Sequence, residues 1–360
     1  MNRYVKYGLY ALAAVLVLVA VLAGIVAATF NPNDYKPLVI KLVQEKKQRT
    51  LRLDGDIRLT FFPRIGADLG KASLSEHGDP REFAAVENLS VSLELLPLLQ
   101  KKLVIDRVQV TGLKARVVRF KDGRTNIDDL LKKEEDSEQF KFDIDSVKVA
   151  DTTLTLEDQM AGRSVTVRDL DLKTGRIANA VPSHVETAFT LEADQPRTKA
   201  KVTLSSGLTF DLDGQHYALD GLKATLNGDA AGFQGLDLQA AGNLDADLKN
   251  TLFKLAKLKL TLKGKTGANA LEATLEAPRL DVSATRAEGE KVTLDARVTR
   301  PDGHLDAKLA MPGVSGNAKD LRIGALSVTL DGQQGESRIK GVVSSPVNGN
   351  LQALRLDRKS

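Results

Sequence analysis

Residues 258–263 read Leu258-Lys259-Leu260-Thr261-Leu262-Lys263, an unbroken alternation of apolar and polar side chains. Successive side chains of a strand point to opposite faces, so three leucines share one side of a sheet and Lys259, Thr261 and Lys263 the other. A helix of the same residues would scatter the leucines around its circumference. The rhythm extends in both directions. C-terminally it passes through Leu271 and Leu275, Leu280 and Val282, Val292, Leu294 and Val298, then Leu305 and Leu309. N-terminally it passes through Leu236 and Leu238, then Val185, Thr187, Phe189 and Leu191, back to Ile144, Val147 and Val149. Asp213-Gly214, Asn227-Gly228, Asp302-Gly303 and Asp331-Gly332 offer the positive φ that tight hairpins need and are expected at turns. Leu252 to Leu255 breaks the rhythm and reads as a helical turn.

Alternation over so many strands makes a sheet with one apolar and one wet face. At about 25 cal/mol per Å² the apolar face must be covered. A second sheet would give a sandwich or closed barrel; a sheet curled on itself could instead leave a groove that lipid tails complete. Periodicity leaves both open. The groove is favoured by the lack of a long helix pattern after Leu131 and by a lining of Leu, Val and Ala with only 4% aromatics. Some eighteen strands spaced about 4.8 Å apart would reach on the order of 85 Å.

From Tyr7 to Phe30 there is no charged side chain. As a helix this stretch would span roughly 36 Å, enough for a hydrocarbon core of about 30 Å. Tyr7, Leu12, Leu16, Leu18, Leu22, Ile25 and Phe30 mark the expected membrane anchor. A cleaved signal peptide, cut near Ala27-Ala28-Thr29, is the alternative. Arg3 and Lys6 put residues 1–6 in the cytoplasm and the rest of the chain across the membrane, in the periplasm of a bacterium with two membranes.

After the span, Asn33 or Asp34 is the expected N-cap of a short amphipathic helix carrying Tyr35, Leu38, Leu42 and Val43 and ending at Lys46-Lys47-Gln48-Arg49. Packing on the first strands is the preferred placement, with the membrane surface as the other. From Thr50 the period becomes two: Leu51 and Leu53, then Ile57 and Leu59, flank Asp54-Gly55-Asp56, a hairpin signal. Ala85 to Leu95 reads as one strand, Lys121-Asp122-Gly123-Arg124 as a tight turn, and Thr125 to Leu131 as a capped helical turn.

Six short motifs fall in order here: the Asn33-Asp34-Tyr35 entry to a helix, Arg49-Thr50-Leu51 before Gly55, Phe62-Pro63-Arg64, Leu95-Leu96-Pro97-Leu98-Leu99, Asp122-Gly123-Arg124-Thr125-Asn126, and Asp128-Asp129-Leu130. Behind an N-terminal span, residues 1–131 resemble the N-terminal region of the AsmA family of Gram-negative inner-membrane proteins. The resemblance implies an inner-membrane anchor and a periplasmic body. It also implies a long curved sheet whose apolar groove carries phospholipid towards the outer membrane, as in the similar bridge-like lipid-transfer proteins. Ile127 departs from the Trp many members carry, and most members are longer.

The expected organisation is therefore residues 1–6 as a cytoplasmic tail, 7–30 as anchor, 31–131 as the family-like region, 132–139 as a polar linker and 140–360 as a repetitive β-groove. The expected fold is mainly β: a transmembrane helix and a short amphipathic helix, then a long, curved, mostly antiparallel sheet. Leu51, Leu53, Val185, Phe189, Leu191, Leu236, Leu238 and Leu258 are groove candidates. So are Leu260, Leu262, Leu271, Leu275, Val292, Leu294, Val298, Leu305 and Leu309.

The rest of the composition narrows the chemistry. Zero Cys removes disulfides, thiolate metal sites and Cys nucleophiles. Basic and acidic residues alternate around a net charge of +4, giving no nucleic-acid footprint. His77, His184, His216 and His304 lie apart, with no second metal ligand at suitable spacing. Asp54 and Asp56, Asp169 and Asp171, and Asp211 and Asp213 are strand neighbours sharing a wet face, not acid/base dyads. Lys254, Lys257, Lys259, Lys263 and Lys265 form a basic stretch, read first as a solvated outer face and second as a headgroup contact. The expectation is a non-enzymatic protein without cofactor. Its expected partners are phospholipids, the inner membrane, and outer-membrane or periplasmic envelope proteins met through its sheet edges.

Overall fold

Alternation decides the fold because one face of every long strand is apolar and the register that keeps those faces together is unique. The computed structural model describes residues 31–60, 65–93, 105–131, 143–283, 285–317 and 320–349. The apolar stretch 7–30, the linker 132–139 and the segments around Phe62-Pro63-Arg64 and Leu95–Leu99 lie outside the described residues. Among the described residues, no helix is long and apolar enough to cross a membrane.

All 23 strands belong to one sheet. The first eight are β1 (Leu51–Leu53), β2 (Arg58–Thr60), β3 (Ile65–Asp68), β4 (Ala72–Ser75), β5 (Glu82–Val86), β6 (Asn88–Leu93), β7 (Ile105–Thr111) and β8 (Lys114–Arg119). They make four kinked lines, β1–β2, β3–β4, β5–β6 and β7–β8, each antiparallel to the next. β9 (Asp143–Asp158) runs parallel to both β7 and β8 in one continuous register, from Ile105↔Ile144 to Arg119↔Asp158. Beyond it the pairing is antiparallel throughout. The long strands are β10 (Arg163–Thr174), β12 (Ser183–Ala193), β13 (Thr198–Asp211), β14 (His216–Ala230), β15 (Phe233–Asp247), β16 (Leu252–Thr266), β17 (Asn269–Val282), β19 (Val292–Arg300), β20 (Gly303–Met311), β22 (Leu321–Gln334) and β23 (Ser337–Gly349). The short β11 (Ile177–Ala178), β18 (Ala287–Gly289) and β21 (Val314–Gly316) prolong the lines of β10, β19 and β20. Split strands sharing a line leave sixteen lines side by side, about 72 Å from edge to edge at the usual spacing, shorter than eighteen separate strands would give.

The splits and bulges line up. Gly112 (φ 68), Asp151 (φ 52) and Asp169 (φ 51) are neighbours across β7–β10. Further on, Gly221 (φ 61) in β14, the register shift between Ala241 and Asn243 opposite Lys257 (φ 53), Pro278, the break after Gly289, Pro312-Gly313, and the shift between Ile323 and Leu326 opposite Pro346 form a second crease. Bulges bend a strand and raise its twist, so aligned bulges crease a whole sheet. A crease also explains prolines in interior strands, where the missing N–H would otherwise break the ladder.

The sheet is a single layer. Among the described residues every substantial contact between strands joins sheet neighbours, and β23 is not paired to β1 or β2. Among the described residues the buried apolar side chains are only Val118, Ala178, Ala200, Ala230, Leu236, Ala277 and Ala287, five of them alanines. A sandwich would bury its leucines; here the largest fully buried side chains are Arg49, Thr152 and Ser206.

Several local expectations are corrected. Leu252 to Leu255 opens β16 instead of forming a helical turn; its leucines pair with Asp247 and Leu244 of β15. Asn227-Gly228 and Asp331-Gly332 lie inside β14 and β22, and the turns fall at Ala231-Gly232 and Gly335. Gly228 is there because a Cβ would sit 2.3 Å from the Lys199 carbonyl oxygen of the neighbouring strand. Asp54-Gly55-Asp56 is a kink between β1 and β2, which pair with β4 and β3 and not with each other. Ala85 to Leu95 is broken at Glu87. Asn31, not Asn33 or Asp34, caps the first turn by accepting from Asn33 N at 3.1 Å.

Candidate functional site: the apolar face and its N-terminal clasp

Register carries side chains of one face across the whole sheet. One row runs Leu51–Leu74–Ala84–Ala115–Leu154–Val167–Leu191–Ala200–Gly228 from β1 to β14. Gly228 pairs with Leu236, whose side chain lies over Gly264 in β16. The row then continues Gly264–Leu271–Val298–Leu305–Gly332–Ile339. A second row reads Thr187–Leu204–Ala224–Ala240–Leu260–Leu275–Leu294–Leu309–Val328–Val343. Between them a third reads Phe189–Val202–Leu226–Leu238–Leu262–Ala273–Ala296–Ala307–Leu330.

All seventeen candidates named from the sequence sit on this face. Leu53 lies beside Leu51, Val185 faces Ser206, Leu258 faces Ala277 and Val292 faces Met311. Leu236 is buried at 7% exposure and every other candidate is half-buried, because same-face neighbours cover its flanks and none of the described residues forms a layer on top.

The opposite face is charged and self-paired. Lys259 meets Glu276 at 2.8 Å, Lys263 meets Glu272 at 3.8 Å, Arg297 meets Asp306 at 2.5 Å and Lys308 meets Asp295 at 3.9 Å. The hydrogen bond from Arg297 holds the Asp306 carboxyl below its ordinary range, and Asp306 in turn raises Arg297. Lys254, Lys259 and Lys263 of the basic stretch are thus paired across strands, with Asp245, Glu276 and Glu272, and Lys257 lies at a bulge. A shallow depression of about 750 Å³ lies on this face, lined by such paired charges as Glu272, Arg297 and Asp306. His184 contacts Glu186 at 3.1 Å and Ser205 at 3.5 Å, and His216 contacts Asp245 at 2.8 Å, which also meets Lys254 at 3.9 Å. Among the described residues no three His, Asp or Glu side chains converge as metal ligands.

At the first edge, residues that are far apart in sequence meet. Arg49 is wholly buried, with its guanidinium 4.8 Å over the Phe83 ring. Its Nε and Nη2 donate to the Asp129 carboxylate at 2.7 and 2.6 Å, Nη1 donates to Ser75 O at 2.8 Å, and Nη2 also donates to Asn126 O. Hydrogen bonding from Arg49 lowers the Asp129 pKa, against the opposing effect of burial. The Asn126 side chain accepts from Val118 N at 2.9 Å and donates to Glu76 and to Arg116 O. Asp128 accepts from Thr125 N and Oγ1, closing the helical turn Asp128–Leu131. This polar clasp ties the end of helix Lys36–Lys47 to β4, β8 and the turn after β8. Ser75, Glu76 and Phe83 carry no sequence signal that marks them as its other half.

The class defined by these features is a β-sheet protein whose described residues form a single layer with one continuous apolar face, locked at its first edge. The profile of the AsmA family matches residues 1–360, and the chain belongs to that family. It is 26% identical over 276 residues to Protein AsmA of Escherichia coli (strain K12), covering 72% of this chain and 43% of that relative. The match thus takes in less than half of the relative's length. No solved structure matches the chain.

Proposed function

We propose that this protein is an inner-membrane-anchored, periplasmic phospholipid carrier without enzymatic activity, in which the apolar face is the floor of a groove that takes acyl chains while headgroups stay wet. The observation that carries the reading is the row of apolar and glycine residues from Leu51 to Ile339, over which the described residues lay no second layer. A face of half-buried leucines has an unmet demand for apolar cover, and a lipid tail supplies it without breaking any ladder hydrogen bond. Family membership and the uncharged stretch 7–30 support a first edge held near a source of such tails, and helping phospholipid towards the outer membrane is the proposed role.

The test is site-specific photocrosslinking in the membranes of cells making the full chain. A benzophenone side chain at Leu260 or Leu294 is expected to give phospholipid adducts by mass spectrometry, and one at Thr261 or Thr274 on the charged face is not. Equal lipid labelling of both faces, or none at Leu260 and Leu294, would defeat the proposal. A second reading, a scaffold that docks envelope proteins by strand addition, is favoured by β23, where Ile339, Val342 and Val343 are 62%, 67% and 70% exposed. Protein adducts at Val343 with no lipid adducts at Leu260 would select it.

A further inference from the structure

The helix Lys36–Lys47 has two apolar sides. Ile40 and Val43, with Lys36 and Lys47, are half-buried, and Lys36 Nζ donates to Gly55 O at 2.6 Å between β1 and β2. Asn33 fastens the preceding turn to the same place, accepting from Ile57 N at 2.9 Å. The second side is exposed: Tyr35, Leu38, Val39 and Leu42 at 52%, 63%, 42% and 51%. Their spacing of three, four and seven residues makes one stripe along the helix, pointing away from the sheet. Lys41 flanks it, Lys46 and Lys47 close its end, and Glu45 is the helix's one acidic residue. An aromatic with a polar tip at one end, aliphatics in the middle and long cationic stems around them is the side-chain arrangement of an interfacial helix. The chain supplies the occupant's position, because the uncharged stretch 7–30 ends one residue before the first turn begins.

We propose that Tyr35, Leu38, Val39 and Leu42 lie in the headgroup–acyl boundary of the bilayer, so that the helix is a foot seating the first edge of the sheet on the membrane surface. Gln48, in the left-handed conformation (φ 52), turns the chain directly into β1, and the Arg49 clasp fixes the angle between foot and sheet. The apolar row, which begins at Leu51, then starts at the bilayer. Its use as an entry for lipid rests on the carrier function proposed above; the membrane contact rests only on the anchor reading of residues 7–30.

The chain has no cysteine, so each introduced one is unique. Spin labels are placed on full-length protein at Leu38→Cys, Val39→Cys and Leu42→Cys on the stripe, and at Lys41→Cys, Gln44→Cys and, on the charged face of the sheet, Thr274→Cys as references. The protein is reconstituted into vesicles of phosphatidylethanolamine and phosphatidylglycerol. The ratio of oxygen to water-soluble nickel accessibility is expected to be several-fold higher on the stripe than at Lys41, Gln44 and Thr274, corresponding to a depth of about 5–10 Å. Uniformly aqueous accessibility at all six sites would overturn the proposal. Buried labels on the stripe together with no lipid adduct at Leu260 would leave the foot standing and remove the carrier reading, whereas the reverse result would remove the foot alone.

Discussion

Replacing Asp129 by alanine should loosen one end of this protein and leave the other untouched. Arg49 is wholly buried and gives Asp129 two hydrogen bonds, at 2.6 and 2.7 Å. Removing one partner of a buried ion pair costs about 3–5 kcal/mol, because the surviving charge is left uncompensated. Glu76, 4.0 Å from Arg49 Nη1, and the carbonyl of Ser75 at 2.8 Å retain part of the solvation, which places the cost near the lower figure. About 3 kcal/mol is roughly a hundredfold in the local opening equilibrium. In a one-layer array each line touches only its neighbours, so the loss should not spread far. Hydrogen exchange of the full chain followed by mass spectrometry reads this directly. Peptides covering β1, β4 and β8 should exchange about a hundredfold faster in Asp129→Ala, while those covering β19 and β20 stay as in the parent. Unchanged protection of β1 and β4 would refute the clasp as the element holding the helix to the sheet, and acceleration at both ends would refute the one-dimensional energetics.

Two further outcomes follow from the same geometry. The Asp129 carboxyl, held by Arg49 below its ordinary value of 3.8, binds its proton less readily folded than unfolded, so its stabilisation is complete above that value and is lost as pH falls through the folded pKa. Thermal unfolding of the first edge should therefore soften with acid below pH 3.8 in the parent and respond less in Asp129→Asn, whereas exposed pairs such as Arg322 with Asp320 add little at any pH. Pro278, Pro312 and Pro346 recur every 34 residues, one pair of lines each. Deleting residues 278–311 should give a folded sheet two lines narrower, with Leu275 meeting Val328 where Leu309 did; deleting 278–310 should aggregate, because a one-residue slip turns every later side chain to the opposite face.

What the sequence revealed and what it hid divide along a physical line. Alternation is a property of single strands, and it put Leu260, Leu294 and all the other groove candidates on one face without any knowledge of their neighbours. Whether that face is covered depends on partners far away in sequence, and no periodicity within one strand reports them. The glycine errors have the same origin: Asn227-Gly228 has hairpin chemistry, but Gly228 is demanded by the close approach of Lys199 on the neighbouring strand. Prolines in apparent interior strands should have flagged a crease, and the constant interval between Pro278, Pro312 and Pro346 was the available signal for a repeating unit. The clasp was half legible. Arg49, Asn126 and Asp129 lie in motifs that carried the resemblance, yet nothing in the chain says that they touch.

The middle row adds a reason for the pattern of small side chains. On β17, β19 and β20 it holds Ala273, Ala296 and Ala307, while the flanking rows hold Leu271, Val298 and Leu305 on one side and Leu275, Leu294 and Leu309 on the other. Leu271 and Leu275 are four residues apart on one strand, so those walls stand about 14 Å apart with an alanine floor between them. Packing against a second protein layer would favour interdigitating large and small residues across facing positions. A run of three alanines in line, at right angles to the strands and walled by leucines, instead leaves a smooth trough. Its axis is the direction in which the sheet extends away from the first edge, and in the carrier reading proposed above a long unbranched apolar chain would lie along this trough with contact on three sides.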